Sequence, residues 1–151
     1  MSALYLPLAV YLDLRIHGEQ AYPHECCGAL LGRMAADGWR VDSLVRATNA
    51  RTEAATDRYE IAPAELVKLA REARRRGLEI AGFYHSHPDH PAQWSSTDLA
   101  EAHWLGCTYV ITEVIEGKAA TTNAFHLAGN TEEDKRFERQ AILIDDLSSC
   151  P

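Results

Sequence analysis

At 151 residues, 46% of them hydrophobic and 25% charged, the chain has material for one folded domain spanning 1–151 and room for one core. A formal net charge of -7 excludes sequence-independent binding to nucleic acid, which draws most of its affinity from a basic surface. No apolar run is long enough to span a membrane, and the apolar stretch from Ala3 to Leu14 lacks the basic leader of a signal peptide and is broken by Asp13 and Arg15, so a cytoplasmic protein is expected.

In chain order, Leu8, Tyr11, Leu12 and Ile16 recur at helical spacing and predict an amphipathic first helix ending near Gly18, with these four residues on its buried stripe. Strands are predicted from Cys26 to Leu31 and from about Trp39 to Arg46. Pro63 opens a helix whose buried stripe reads Leu66, Leu69, Ala70 and Ala73. Arg71, Arg74, Arg75 and Arg76 crowd its C-terminal end, where basic groups complement the helix dipole; they also suit an acidic partner protein. A mostly apolar run from Leu78 to Tyr84, bounded by Gly77, predicts a buried strand leading into His85. A helix starts at Ser95 and Ser96, and strands follow near Tyr109 to Val114 and Thr121 to Leu127. Glu132 to Arg139 reads as a solvated helix or turn, and the apolar Ala141 to Ile144 closes the sheet or a homodimer. The short spacing after Trp104 favours antiparallel pairing. The fold class is therefore α/β with an α+β-like character: a mixed, largely antiparallel sheet flanked by helices.

The chemistry concentrates in His85-Ser86-His87-Pro88, six further residues, then Ser95-Ser96-Thr97-Asp98. Histidines one residue apart on an extended segment face the same way, so His85 and His87 can close on one metal ion. Asp98, in the first turn of the following helix, is placed to add a third ligand. Two imidazoles and a carboxylate leave a fourth zinc position for water, as in catalytic rather than structural sites. The plainer reading makes Ser95 and Asp98 a capping box and the histidine pair a solvated loop. The conjunction of the pair, the proline, the short loop and the helix acid favours zinc. Cys26, Cys27, Cys107 and Cys150 form no Cys-x-x-Cys pair and are expected as free thiols of a reducing compartment. Cys26 and Cys27 point opposite ways on a strand, which argues against a closed site built with the histidines. Cys27 shares a face with Glu25 if this segment is extended, which would make it sensitive to oxidation. His17, His24, His90, His103 and His126 show no second metal spacing.

His85-Ser86-His87-Pro88, the seven residues from Pro88 to Trp94, Ser95 and Asp98 resemble the signature of the JAMM (MPN+) metalloproteases, small stand-alone bacterial type. Glu25, in Pro23-His24-Glu25-Cys26-Cys27-Gly28, resembles that family's upstream glutamate. The resemblance runs from about Ala21 to Leu127 and implies a three-layer architecture like that of cytidine deaminases. It implies zinc on His85, His87 and Asp98, a proton carrier in Glu25 and an oxyanion donor in Ser95. Each role also makes chemical sense unaided: zinc brings a bound water to a pKa of about 7, one carboxylate can move its proton, and a hydroxyl can stabilise the oxyanion. Trp94 departs from the family's usual proline before the motif serine; it packs over the cleft, anchors a partner or half covers the core.

The family further implies hydrolysis of the bond after the C-terminal Gly-Gly of a ubiquitin-like sulfur-carrier protein, whose tail fits a cleft in extended form. The alternatives are a non-catalytic MPN-type module that holds such a tail, and a metal-responsive regulator.

Overall fold

Ala3–Leu6 is too short for its side-chain alternation to be read from sequence, yet it closes the fold. In the computed structural model, described over residues 3–51, 55, 56 and 58–145, this segment is strand β1. It is followed by α1 (Leu8–Ala21), β2 (Cys27–Ala35), β3 (Gly38–Ala47), α2 (Pro63–Arg75) and β4 (Glu79–Pro88). Then come α3 (Ser96–Glu101), β5 (Thr108–Ile115), β6 (Lys118–Ala128) and β7 (Arg136–Ile144). The strands lie side by side as β1-β3-β2-β4-β5-β6-β7, and β1 pairs in parallel with both β3 and β7.

The sheet is thus a closed seven-stranded barrel, not the open sheet of a three-layer stack. The mixed α/β character holds, with β4 and β5 parallel and the β2–β3, β2–β4, β5–β6 and β6–β7 pairs antiparallel. Closure removes the unpaired edges that an open sheet would expose.

Helix α1 buries a different stripe from the one its sequence suggests. Val10, Leu14 and Gly18 face the strands, Tyr11 is partly buried, and Leu8, Leu12 and Ile16 are 44%, 47% and 45% exposed. The helix is apolar on both faces, so periodicity alone offers two stripes. Gly18 favours the first of them, because a Cβ there would lie 3.0 Å from Val114 Cγ2 and 3.3 Å from Ser86 Cβ, tighter than ordinary contact, and glycine removes that crowding. Arg15 bonds Thr122 Oγ1 (2.8 Å) on one flank, and Arg46 bonds Asp13 and Gln20 (both 2.7 Å) on the other.

Two cores result. One gathers Leu4, Leu6, Leu14, Leu30, Val41 and Tyr84 under α1, and the other gathers Leu31, Leu69, Phe83, Tyr109 and Leu127 under α2. Alternation along β2 and β4 sends neighbouring residues to opposite cores. On α2, Leu69 and Ala73 are buried as expected, whereas Ala70 is exposed. In the tail, Thr131–Asp134 is a turn held by Asp134, but Arg136 to Arg139 belong to β7 and not to a helix. Their charges hid an alternation in which Phe137 packs inward and Gln140 is buried. Ala141 to Ile144 pair with β1 and close the barrel.

Candidate metal centre

Strand β4 runs between β2 and β5 and carries the motif at its end, with His85 opposite Cys27 on β2 and Ile111 on β5. Alternation turns His85 and His87 to one face and Ser86 to the other, where its Oγ accepts the Cys26 amide proton at 2.8 Å. Both histidines are buried, and their Nε2 atoms lie 3.2 Å apart.

The loop after β4 is tied down at both ends. Asp89 accepts the Glu116 amide proton (2.9 Å), and Asn123 donates to the Ala92 carbonyl (2.9 Å). Ser95 then caps α3, accepting the Asp98 amide proton at 3.0 Å while Asp98 Oδ2 accepts that of Ser95 at 2.9 Å. The capping box is real, and it does not compete with the metal reading. The same Asp98 Oδ2 lies 3.1 Å from His87 Nε2, and Oδ1 lies 3.3 Å from His85 Nε2. Capping orients the carboxylate toward the imidazoles.

Protonation follows from the partners. A carbonyl can only accept, so the 2.8 Å contact between His87 Nδ1 and Pro91 O places a proton on Nδ1, and in the neutral ring Nε2 is then the nitrogen that carries the lone pair. Hydrogen bonding of the distal ring nitrogen is the usual device for orienting a metal-binding histidine. His85 is oriented differently: its Nδ1 has no hydrogen-bond partner among the described residues, and its ring stacks on Tyr59 at 4.5 Å and 23°. Burial holds the His85 imidazole below its ordinary pKa. Burial also pulls on His87, but the Asp98 carboxylate and the Pro91 carbonyl outweigh it and raise that group. Asp98 is pushed up by burial, yet the two imidazoles and the Ser95 amide hold it far below the carboxylate range.

Possible ligand atoms of two imidazoles and one carboxylate thus converge within 4.8 Å of one another, an arrangement that can hold a cation when both imidazoles present an unprotonated Nε2. Nitrogen and oxygen donors in this number suit zinc. No other group of three or more His, Cys, Asp or Glu among the described residues is close enough to share an ion, so Cys26 and Cys27 stand outside the centre and the remaining histidines form no second one of this kind.

Glu25 is buried at 3% exposure just ahead of β2. Its amide donates to Ala55 O (2.7 Å) and its carbonyl accepts from Asn49 Nδ2 (3.1 Å). It lies two residues before Cys27, which pairs with His85 across β2 and β4, and its charge adds a small upward push to the His87 titration. Ser95 is exposed, and its hydroxyl proton makes no hydrogen bond among the described residues. Trp94 packs against Phe137 with ring centroids 5.7 Å apart and is 40% exposed, so part of its ring covers the aromatic core.

Cys26, Cys27 and Cys107 are free and buried; Cys150 lies outside the described residues. Burial pushes the Cys26 and Cys107 thiols up to about 11 and Cys27 higher still. The expected oxidation-sensitive Cys27 is therefore not supported, since reactivity needs an accessible thiolate.

Sequence reading missed Tyr59 and the cavity it opens onto. That cavity, about 340 Å³, is lined by Tyr59, Ile61, Leu66, Phe83, Trp104 and Tyr109 with a polar rim that includes Arg51 and Glu101. Tyr59 lies in the loop before α2, where no periodicity marks a residue as facing a site.

The centre can be compared with known proteins. The chain is 35% identical over 89 residues to the desampylase of Haloferax volcanii, covering 59% of this chain and 62% of the relative. It is 32% identical over 101 residues to a probable TtuB-protein conjugate cleaving protease of Thermus thermophilus, covering 67% and 64%. The matches thus span less than two thirds of the length of these curated relatives. Among solved structures, a Salinibacter ruber protein is 41% identical with a TM-score of 0.70, covering 97% of this chain and 92% of that one. Protein DSY2949 of Desulfitobacterium hafniense superimposes with a TM-score of 0.80 at 24% identity, covering 94% and 92%, and so shares the fold. The family model of prokaryotic homologues of the JAB domain matches residues 7–128, a span that takes in Glu25, both histidines, Ser95 and Asp98, and the chain belongs to that family, as its JAMM (MPN+) signature indicates.

Proposed function

We propose that this chain, as one domain, is a zinc-dependent hydrolase that cuts the bond after the C-terminal Gly-Gly of a ubiquitin-like sulfur-carrier protein. The observation that carries the reading is the convergence of His85 Nε2, His87 Nε2 and the Asp98 carboxylate within 4.8 Å. The names of the two curated relatives, one a desampylase and one a conjugate-cleaving protease, support the substrate class.

His85, His87 and Asp98 hold the metal. Zinc bound there supplies a Lewis acid and brings a coordinated water to a pKa of about 7. Every other part falls to the chain itself. Glu25, kept from bulk water at the entry to β2, takes a proton at its carboxylate and returns it to the leaving amine. Ser95 Oγ keeps its backbone contact to Asp98 and turns its own proton toward the developing oxyanion. Tyr59 fixes the plane of His85. The cavity beside Tyr59 takes the extended tail ahead of the glycines. Three buried free thiols fit a reducing compartment such as the cytoplasm. Among the described residues, no helix is long and apolar enough to cross a membrane.

The test is hydrolysis of Gly-Gly-tailed carriers joined through peptide and isopeptide bonds, with the zinc-loaded chain, the chelated chain and Glu25→Gln. Cleavage should require zinc, and Glu25→Gln should lower kcat by about 10²- to 10⁴-fold while zinc content stays the same. A zinc-loaded chain that binds such tails and cuts none of them is instead a binding module.

A further inference from the structure

The outer face of α2 carries a charge that the rest of the chain does not. Five of the chain's fifteen Lys and Arg side chains fall between Pro63 and Arg76, against two carboxylates, in a chain of formal charge -7. Both carboxylates are already engaged. Glu65 accepts the Thr48 amide proton at 3.2 Å, and Glu72 clamps Arg75 Nε (3.0 Å) and Arg76 Nε (2.7 Å). Lys68, Arg71 and Arg74 are exposed, and their side chains make no hydrogen bond or ion pair among the described residues. The helix dipole accounts for Arg74 and Arg75 in the last turn but not for Lys68 and Arg71, which lie further upstream.

The same face carries Val67, 52% exposed, with Arg71 and Arg74 four and seven residues on and therefore on the same side of the helix. An apolar spot rimmed by cations suits a protein surface that offers an apolar patch among carboxylates. It does not suit a nucleic-acid backbone, which would need a longer basic track on a less acidic chain. The location completes the case. Leu66, the residue before Val67, lines the cavity together with Tyr59, whose ring stacks on His85. A tail laid in this cavity, as the proposed function has it, leaves its folded body beside α2.

We propose that Lys68, Arg71 and Arg74 around Val67 dock the acidic folded body of the protein whose tail enters the cleft, an inference that rests on the function proposed above. Docking raises the local concentration of the tail and selects acidic carriers; the chemistry at the metal centre is untouched by it.

The experiment compares the full chain with a Lys68→Glu, Arg71→Glu, Arg74→Glu variant, using two probes. The first is an acidic ubiquitin-like protein with its Gly-Gly tail deleted, followed by fluorescence anisotropy at low and high salt. The second is a short peptide with a Gly-Gly sequence at the scissile bond. The tailless protein should bind the unaltered chain in a salt-sensitive way, and the variant should raise Kd by about tenfold or more. A partner with its acidic patch reversed to lysine should recover binding to the variant. Peptide hydrolysis should stay within about twofold, as expected for exposed residues away from the metal centre. Equal binding by the two forms, or equal loss on protein and peptide, overturns the docking face. Absence of peptide hydrolysis in the unaltered chain counts against the hydrolase, and the binding result then decides the docking face by itself.

Discussion

Asp98→Asn separates the two roles that one carboxylate plays. Oδ2 serves the Ser95 amide at 2.9 Å and faces His87 Nε2 at 3.1 Å, while Oδ1 faces His85 Nε2 at 3.3 Å. An amide of the same shape retains an oxygen that can accept the Ser95 N–H, so the cap of α3 survives, but the negative charge is gone. One unit charge acting on another at about 4 Å contributes about 4 kcal/mol at an effective dielectric of about 20. Removing it from a cation site therefore costs about three orders of magnitude in affinity. A weakened cap costs at most about 1 kcal/mol, a Tm change of about 2–4 °C in a chain of this size. Competition against a calibrated zinc chelator measures the first quantity and differential scanning fluorimetry of the metal-free protein the second. Zinc addition should raise the Tm of the unaltered chain and leave that of the variant nearly in place. If Asp98→Asn holds zinc within about tenfold of the unaltered chain, Asp98 is a helix cap and the reasoning from converging lone pairs fails.

Further outcomes follow from packing and burial. A Cβ at position 28 would lie 2.3–2.4 Å from the edge of the Tyr84 ring and its hydroxyl, so Gly28→Ala should cost about 1–3 kcal/mol; an unchanged urea midpoint would refute that close approach. Burial, helped by the Arg46 charge, lowers the His17 pKa from 6.5 to about 4. The unfolded chain then takes up this proton first, so the contribution of His17 to stability is complete above pH 6.5 and is lost as pH falls from 6.5 toward 4. Urea midpoints between pH 7 and 4.5 should fall less steeply in His17→Gln than in the unaltered chain, and parallel profiles would exclude this linkage. In a Cys150→Ser background, Cys26, Cys27 and Cys107 should react with a thiol reagent only after unfolding, because burial raises all three; rapid labelling of the native protein contradicts this.

The centre was legible in the sequence because its parts are local. His85 and His87 need only the two-residue period of a strand, and Asp98 needs only a capped first turn eleven residues later. Spacing of that kind survives whatever the strand pairs with. Glu25 was legible only through the family pattern, since its approach to His87 depends on β2 lying antiparallel to β4. Tyr59, stacked on His85 from a loop, left no mark in the sequence at all.

The same division runs through the fold. The types of the central elements, the three helices and strands β2 to β6, were set by local periodicity, and these the chain declares by itself. Which face of α1 is buried, the closure of the sheet by Ala3–Leu6, and the inclusion of Arg136–Arg139 in β7 were decided by tertiary contacts. A helix apolar on both sides, a four-residue strand and a charged strand carry patterns too short or too ambiguous to choose a partner. Close approach at Gly18, parallel pairing on both edges of β1 and packing of Phe137 made those choices, and each joins residues far apart in the chain.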